Sequence, residues 1–297
     1  MSIITYPTMN LLLAILTLLA PELDVGLHPN DAVVAAADAT LRVMTFNIRY
    51  NNPDDGEHAW PHRKERVASV IRFHEADLVG VQEALKGQID DLEALLPEYA
   101  WIGVGRDDGV AAGEFSPIFY RRDRFELVEQ ATFWLSETPE VPGSKSWDAA
   151  LTRIVTWGRF RDKTTEEVFY LFNTHFDHRG EQARTQSARL LLEKIDALAG
   201  DAPVIVTGDF NVVPTTEAYR VMVTELEDAR RRSVTPPHGP EETYFGFMVE
   251  AGEEGRRIDY IFLSPEVRVQ HYGVLTDHWN GHFPSDHLPV LAEIVLP

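Results

Sequence analysis

Six apolar runs of this chain begin or end on clustered amide, carboxylate or imidazole side chains, and that pattern constrains the fold most. Thr45-Phe46-Asn47 ends the first run, Val81-Gln82-Glu83 the second and Phe172-Asn173-Thr174-His175 a third. Val206-Thr207-Gly208-Asp209-Phe210-Asn211 ends a fourth, Arg257-Ile258-Asp259-Tyr260 opens a fifth, and Ser285-Asp286-His287 precedes the last. Short apolar runs with β-branched residues read as buried strands. A lone Glu after a strand is usually a solvated loop residue, and a lone His a satisfied surface or core group. Six such sites in one chain exceed what chance supplies.

Between these runs, helical spacing appears at Arg63 to His74, Gln88 to Leu96 and Gln182 to Leu198, the last with a stripe of Leu190, Leu191, Ile195 and Leu198. Further strands are expected near Trp101–Val104, Pro117–Tyr120, Phe125–Val128 and Thr132–Leu135, with a hairpin of Arg153–Phe160 and Val168–Thr174 about Asp162-Lys163-Thr164. The stretch from Arg230 to Glu242 reads as a loop. Mixed strands and helices without strict βαβ alternation predict an α/β (α+β) domain: a four-layer sandwich of two mixed β-sheets flanked by helices.

Residues 1–40 stand apart, with no Lys or Arg and four acids. The ten-residue apolar run from Leu11 to Ala20 is too short to span a bilayer as a helix. The segment reads as a signal peptide or a disordered leader, which makes the protein either exported or cytoplasmic, and residues 41–297 form the catalytic domain. The 27 basic against 47 acidic residues, a net charge of −20, argue against a broad basic face for a nucleic-acid backbone. The absence of cysteine excludes a disulfide scaffold, a thiolate zinc site and a cysteine nucleophile.

The six motifs, in this order, resemble the endonuclease/exonuclease/phosphatase superfamily of metal-dependent phosphoesterases, across about Leu41 to Pro297. The resemblance implies the four-layer fold and a role for each motif residue. Glu83 matches the metal-binding glutamate, with Asn47 beside the ion or a phosphate oxygen and Asp286 binding metal directly or through water. Asp209 matches the aspartate that orients or deprotonates the attacking water. Asn211, two residues on, would project to the same side of an extended segment and hold the water or a phosphate oxygen. His287 contacts the scissile phosphate, and Asp259 fixes its tautomer and charge. His175 is the second phosphate-side histidine and the candidate acid for the leaving oxygen. Arg153 is a candidate phosphate-binding arginine. The implied cofactor is Mg²⁺, with Mn²⁺ as a substitute. In one departure, Arg49 stands where some family nucleases carry an acid, so one ion is expected rather than two.

Several loops carry acids and aromatics: Asn52 to Gly56 with Trp60, Arg106 to Gly109, Gly113-Glu114-Phe115, Phe133 to Ser136 and Trp147-Asp148, with His178 following His175 by three. They are either turn chemistry or a rim of carboxylates and tryptophans over the catalytic floor, which would suit a hydroxyl-rich ligand. His278 and His282 are further candidates for that rim. The function expected is metal-dependent hydrolysis of a phosphoester by in-line water attack. A small or hydroxyl-rich substrate is ranked first, a nuclease acting on DNA or RNA second, and a non-catalytic binding module third.

Overall fold

The computed structural model describes residues 1–2, 40–247 and 255–297. The expected leader therefore lies outside the described residues, apart from its ends. Twelve strands follow in chain order: β1 Thr40–Asn47, β2 Leu78–Gln82, β3 Tyr99–Ile102, β4 Ile118–Arg121, β5 Phe125–Trp134, β6 Ile154–Asp162, β7 Val168–His175, β8 Val204–Asp209, β9 Glu227–Asp228, β10 Asp259–Leu263, β11 Arg268–Val274 and β12 Val290–Val295. The α-helices are α1 Lys64–Phe73, α2 Lys86–Leu95, α3 Glu181–Ala199, α4 Glu217–Met222 and α5 Ala229–Arg232. The strands form two six-stranded sheets, ordered β11-β12-β1-β2-β4-β3 and β5-β6-β7-β8-β10-β9. Each is mixed, with β1–β2 and β7–β8 as parallel pairs.

Three apolar cores give the four layers. Val43, Leu78, Phe160, Leu171, Ile205 and Ile261 meet between the sheets. Val67, Val70 and Ile71 of α1 and Ile89 and Leu92 of α2 cover Phe46, Val79 and Val81 on the outer face of the first sheet. Leu191 and Ile195 of α3 and Tyr219 of α4 cover Val155, Phe172 and Val206 on the second. Strands covered on both faces need apolar residues at nearly every position, which explains the continuous apolar runs of β2, β8 and β10.

At the cleft end the seam between the sheets turns polar. Gln82 Nε2 donates to Asn173 Oδ1 at 2.7 Å, and Asn173 Nδ2 donates to the carbonyls of Val81 and Pro117. Gly80 makes the approach possible. A Cβ there would come within 2.5 Å of Asn173 Oδ1 and closer still to Thr207 Oγ1.

Two expectations are corrected. Phe125–Val128 and Thr132–Leu135 are one strand, β5, carried past its polar middle by a register shift between Leu127 and Glu129. It is an edge strand, so Glu129 and Gln130 face solvent without ending it. The segment from Arg230 to Glu242 is not all loop, because α5 runs to Arg232, capped by Asp228 accepting from Arg230 N at 3.0 Å. Among the described residues no helix is long and apolar enough to cross a membrane.

Candidate active site

Strand register brings the motif residues together. Asp209 at the end of β8 lies opposite His175 at the end of β7 and opposite Asp259 at the start of β10. On the other sheet Asn47 pairs with Gln82, which places Glu83 one residue beyond. Ser285-Asp286-His287 arrives from the loop before β12. All six polar strand ends thus meet at one end of the sandwich. There a cleft of about 370 Å³ is lined by Glu83, Arg153, His175, Asp209, Asn211, Asp286 and His287, among others.

The strand ends turn by a repeated device. Asn47 Oδ1 accepts from the amide of Arg49 at 3.0 Å, and Asp209 Oδ1 from the amide of Asn211 at 2.9 Å. In each case the side chain closes a turn two residues on. Arg49, Glu83 and Asn211 all take left-handed backbone conformations, with φ of 56°, 63° and 51°. Each costs roughly 1–2 kcal/mol relative to ordinary backbone. Asn211 therefore does not extend the strand past Asp209, as expected from spacing. It turns back, and its Nδ2 reaches His175 Nε2 and the Phe176 carbonyl, both at 3.1 Å.

Asp209 Oδ2 is the hub. It lies 3.0 Å from Asn47 Nδ2, 3.3 Å from His175 Nε2 and 3.8 Å from His287 Nε2. Burial and the nearby Asp259 raise its pKa, against the opposing pull of His287. His287 Nδ1 is 2.9 Å from Asp259 Oδ2, which also accepts from Thr243 Oγ1 at 2.5 Å. Burial alone would lower the His287 pKa, but Asp259 overrides it and raises the pKa well above the usual range. His175 is the reverse case. Burial, then Arg153 and Arg106, push it well below that range.

Asn47 Nδ2 also reaches Glu83 Oε1 at 3.1 Å, while Glu83 Oε2 accepts from the amide of Tyr50 at 3.1 Å. Asp286 is raised by burial and, against the pull of His287, by Glu83. Arg49, whose Nε stands 4.0 Å away, and the buried Arg63 pull the other way. Arg49 is held by two hydrogen bonds to Asp55, at 3.0 and 2.9 Å. Two ligand groups, Glu83 with His175 and Asp209, and Asp209 with Asp259 and His287, have donor atoms close enough to share an ion. Asn47 Oδ1 accepts from Arg49 N while its NH₂ faces the carboxylates of Glu83 and Asp209.

Arg153 is 4% exposed; its Nε and Nη1 make no hydrogen bond, nor does His175 Nδ1, and Nε has Asp177 Oδ2 only at 3.9 Å. Orphaned buried donors at a cleft wall are what an anion would satisfy.

The expected rim is corrected in part. Trp60 and Trp134 are buried, with indole N–H groups on Asp91 Oδ2 and the Arg106 carbonyl, so neither forms a rim. Asp148 caps the start of α3 through the amides of Gln182 and Ala183. Glu114 and His178 do line the cleft, whereas His278 and His282 do not. His278 packs against Phe283 and His282 against His58.

Other residues at the site carried no sequence signal. The buried Arg63 guanidinium donates to the carbonyls of Ile48, Pro284 and Arg49, tying the end of β1 to the loop that carries His287. Gln88 of α2 holds the same segment through Asn51 N and the Arg49 carbonyl. Tyr244 and Arg256 form the wall beside His287.

Known proteins resemble this chain in fold and sequence. An endonuclease/exonuclease/phosphatase from Bacteroides vulgatus is 44% identical, with a TM-score of 0.84 over 87% of this chain and 99% of that one. A mannosyl-6-phosphatase from Bacteroides thetaiotaomicron is 42% identical, with a TM-score of 0.83 over 86% of this chain and 100% of that one. The exoribonuclease subunit Ccr4 of the CCR4-Not complex of Mycosarcoma maydis is 20% identical over 92% of this chain and 52% of its own length. The chain spans 36% to 67% of the first three curated relatives. The sequence pattern of the endonuclease/exonuclease/phosphatase family matches residues 44–287, and the chain belongs to that family, whose members are phosphoesterases and nucleases.

Proposed function

We propose that the cleft hydrolyses a phosphate ester of a small, hydroxyl-rich compound, a sugar phosphate, by in-line attack of water. The observation that carries this reading is the placing of one raised carboxylate, Asp209, between two imidazoles beside an arginine with orphaned N–H groups. Asp209 accepts the proton of the attacking water, and its raised pKa makes it the stronger base. His287, kept charged by Asp259, and Arg153 bind phosphate oxygens and stabilise charge as it rearranges. Asn211 fixes the water or a phosphate oxygen. Burial and the neighbouring arginines keep His175 neutral. A phosphate beside Arg153 offsets the repulsion from that guanidinium and lets the imidazole carry a proton to the leaving oxygen.

Glu83 and Asp286 suit a hard divalent cation, Mg²⁺ first and Mn²⁺ second. They are carboxylates that repel each other, and Glu83 receives only neutral N–H donors. When bound, the ion supplies Lewis-acid neutralisation of phosphate oxygens. Asn47 orients Glu83 from behind. Arg49 already fills the flank of Asp286 with a fixed positive charge, which supports one ion rather than two.

The small-substrate reading is supported by the net charge of −20 and by the likeness to the mannosyl-6-phosphatase. A panel of sugar phosphates, phosphodiesters, DNA, RNA and phospholipids, each with Mg²⁺, Mn²⁺ or chelator, tests it. Phosphate release from sugar phosphates that stops with chelator is expected. Cleavage of nucleic acid alone, with strongly salt-dependent binding, would replace this reading by the nuclease one.

A further inference from the structure

The wall of the cleft beside Arg153 is built by residues that the phosphate chemistry does not use. Glu114 sits on a loop pinned at several points. Phe115 N donates to the Ala84 carbonyl at 2.8 Å, next to Glu83, and Arg106 N donates to the Glu114 carbonyl at 3.0 Å. Asp108 Oδ1 takes the amides of Val110, Ala111 and Ala112, and Trp134 Nε1 anchors the Arg106 carbonyl at 2.6 Å. The Glu114 side chain on this fixed loop is 18% exposed. Its Oε2 accepts from Arg106 Nη1 at 2.6 Å, and its Oε1 has no partner among the described residues. Because Glu114 lines the cleft, that oxygen is free to accept from a bound ligand in place of water.

Across Arg153 stands His178. Arg153 Nη2 lies 3.2 Å from His178 Nδ1. A guanidinium can only donate, so Nδ1 accepts, and the neutral ring carries its proton on Nε2. The wall therefore offers an acceptor, Glu114 Oε1, and a donor, His178 Nε2–H, in the cleft that the almost fully buried Arg153 also lines. A hydroxyl both donates and accepts, so neighbouring ring hydroxyls match such a pair. An alkyl or aryl group does not, and it would strand the carboxylate oxygen.

We propose that Glu114 and His178 read the hydroxyls of the substrate's sugar ring and so set specificity, with Glu114 accepting from one hydroxyl and His178 donating to another. The proposal rests on the sugar-phosphate reading above and adds the residues that choose among phosphate monoesters.

The test compares kcat/KM for mannose 6-phosphate, its monodeoxy analogues and phenyl phosphate, in the wild type and in Glu114→Ala and Glu114→Gln. Thermal melts identify which variant is folded, and either suffices. For the wild type, removing the hydroxyl that Glu114 reads should cost about 10–100-fold, as for a hydrogen bond to a charged group. Glu114→Ala should lose that factor on the parent sugar and lose nothing more on the one deoxy analogue. Its activity on phenyl phosphate should stay within about threefold. An equal fall on all esters, or unchanged discrimination among the deoxy sugars, overturns the proposal while leaving the sugar-phosphate reading intact. A wild type that cleaves phenyl phosphate but no sugar phosphate overturns both.

Discussion

His175 and His287 face the same oxygen of Asp209, at 3.3 and 3.8 Å, yet the protein sets their charges in opposite directions. His287 rests its Nδ1 on Asp259 and is held as a cation. His175 has no carboxylate behind it. Its Nδ1 is buried without a partner, and Arg153 and Arg106 add to the burial that keeps it neutral. Two identical side chains thus become a fixed positive charge and a proton carrier. The difference comes from what lies behind each ring. Asp259 at the start of β10 supplies the carboxylate for one, and Arg153 and Arg106 flank the other.

The harshest way to break this comparison is to remove the group the two imidazoles share. Asp209→Ala takes away the proposed base and the acceptor between them. It should lower kcat by about 10³-fold or more, measured as phosphate release at saturating substrate and metal. His287→Ala should fall into the same range. Undiminished metal-dependent hydrolysis in either variant would sink the assignment.

A sharper cut separates the two histidines. Asp259→Asn keeps the shape behind His287 but removes the charge that raises it. The His287 pKa lies above the usual 6.5, so its cationic form is complete below that value and is lost as pH rises through the raised pKa. Asp209, the proposed base, must be ionised, and its pKa is raised to about 7, so its limb appears on the acid side. The wild-type profile of kcat/KM should therefore be a broad bell. Asp259→Asn should drop activity by about 10²-fold at neutral pH and draw the alkaline limb down toward 6.5, while the acid limb also moves down because Asp259 helps to raise Asp209. An alkaline limb that stays in place would mean that Asp259 does not set the charge of His287.

The two rings meet only because the sheets that carry them pack closely. His175 ends a strand of one sheet, and His287 precedes a strand of the other. Gly80→Ala forces a methyl group against Asn173 and Thr207 in the polar seam below the cleft. The cost should be about 1–3 kcal/mol by denaturant unfolding, with a larger loss of kcat than of substrate binding. A variant of wild-type stability would show that the seam can yield.

Much of this was legible in the sequence, for a physical reason. A buried strand must be apolar, so a carboxylate, amide or imidazole at its end is conspicuous, and register then dictates that His175, Asp209 and Asp259 lie abreast. What escaped notice depends on partners distant in the chain. Arg63 reads as an ordinary arginine at a helix start until Pro284, 221 residues on, accepts its hydrogen bond. Thr243 reads as a loop residue until it bonds Asp259. The tryptophans misled for the opposite reason. Trp60 sits among turn residues and Trp134 at the end of an expected strand beside a turn, but both rings are buried and only their N–H groups need polar partners.

The mildest prediction concerns the His175 side alone. Asp177 accepts from the amides of Ala150, Leu151, Arg179 and Gly180, and so holds the segments on either side of Arg153 and His178. Burial would raise its pKa, but those amides together bring it down from 3.8 to about 2. A carboxylate lowered in this way contributes stability that is complete above about pH 4 and is lost as pH falls toward 2. Asp177→Asn should therefore cost about 1–2 kcal/mol at pH 7, after allowance for solvent screening, and the gap to wild type should close in acid unfolding titrations below pH 3. Because Asp177 touches neither His287 nor Asp259, the variant should keep the wild-type alkaline limb while its KM rises a few-fold. An alkaline limb that moves with Asp177 would show that the two histidines are coupled through the cleft wall as well as through Asp209.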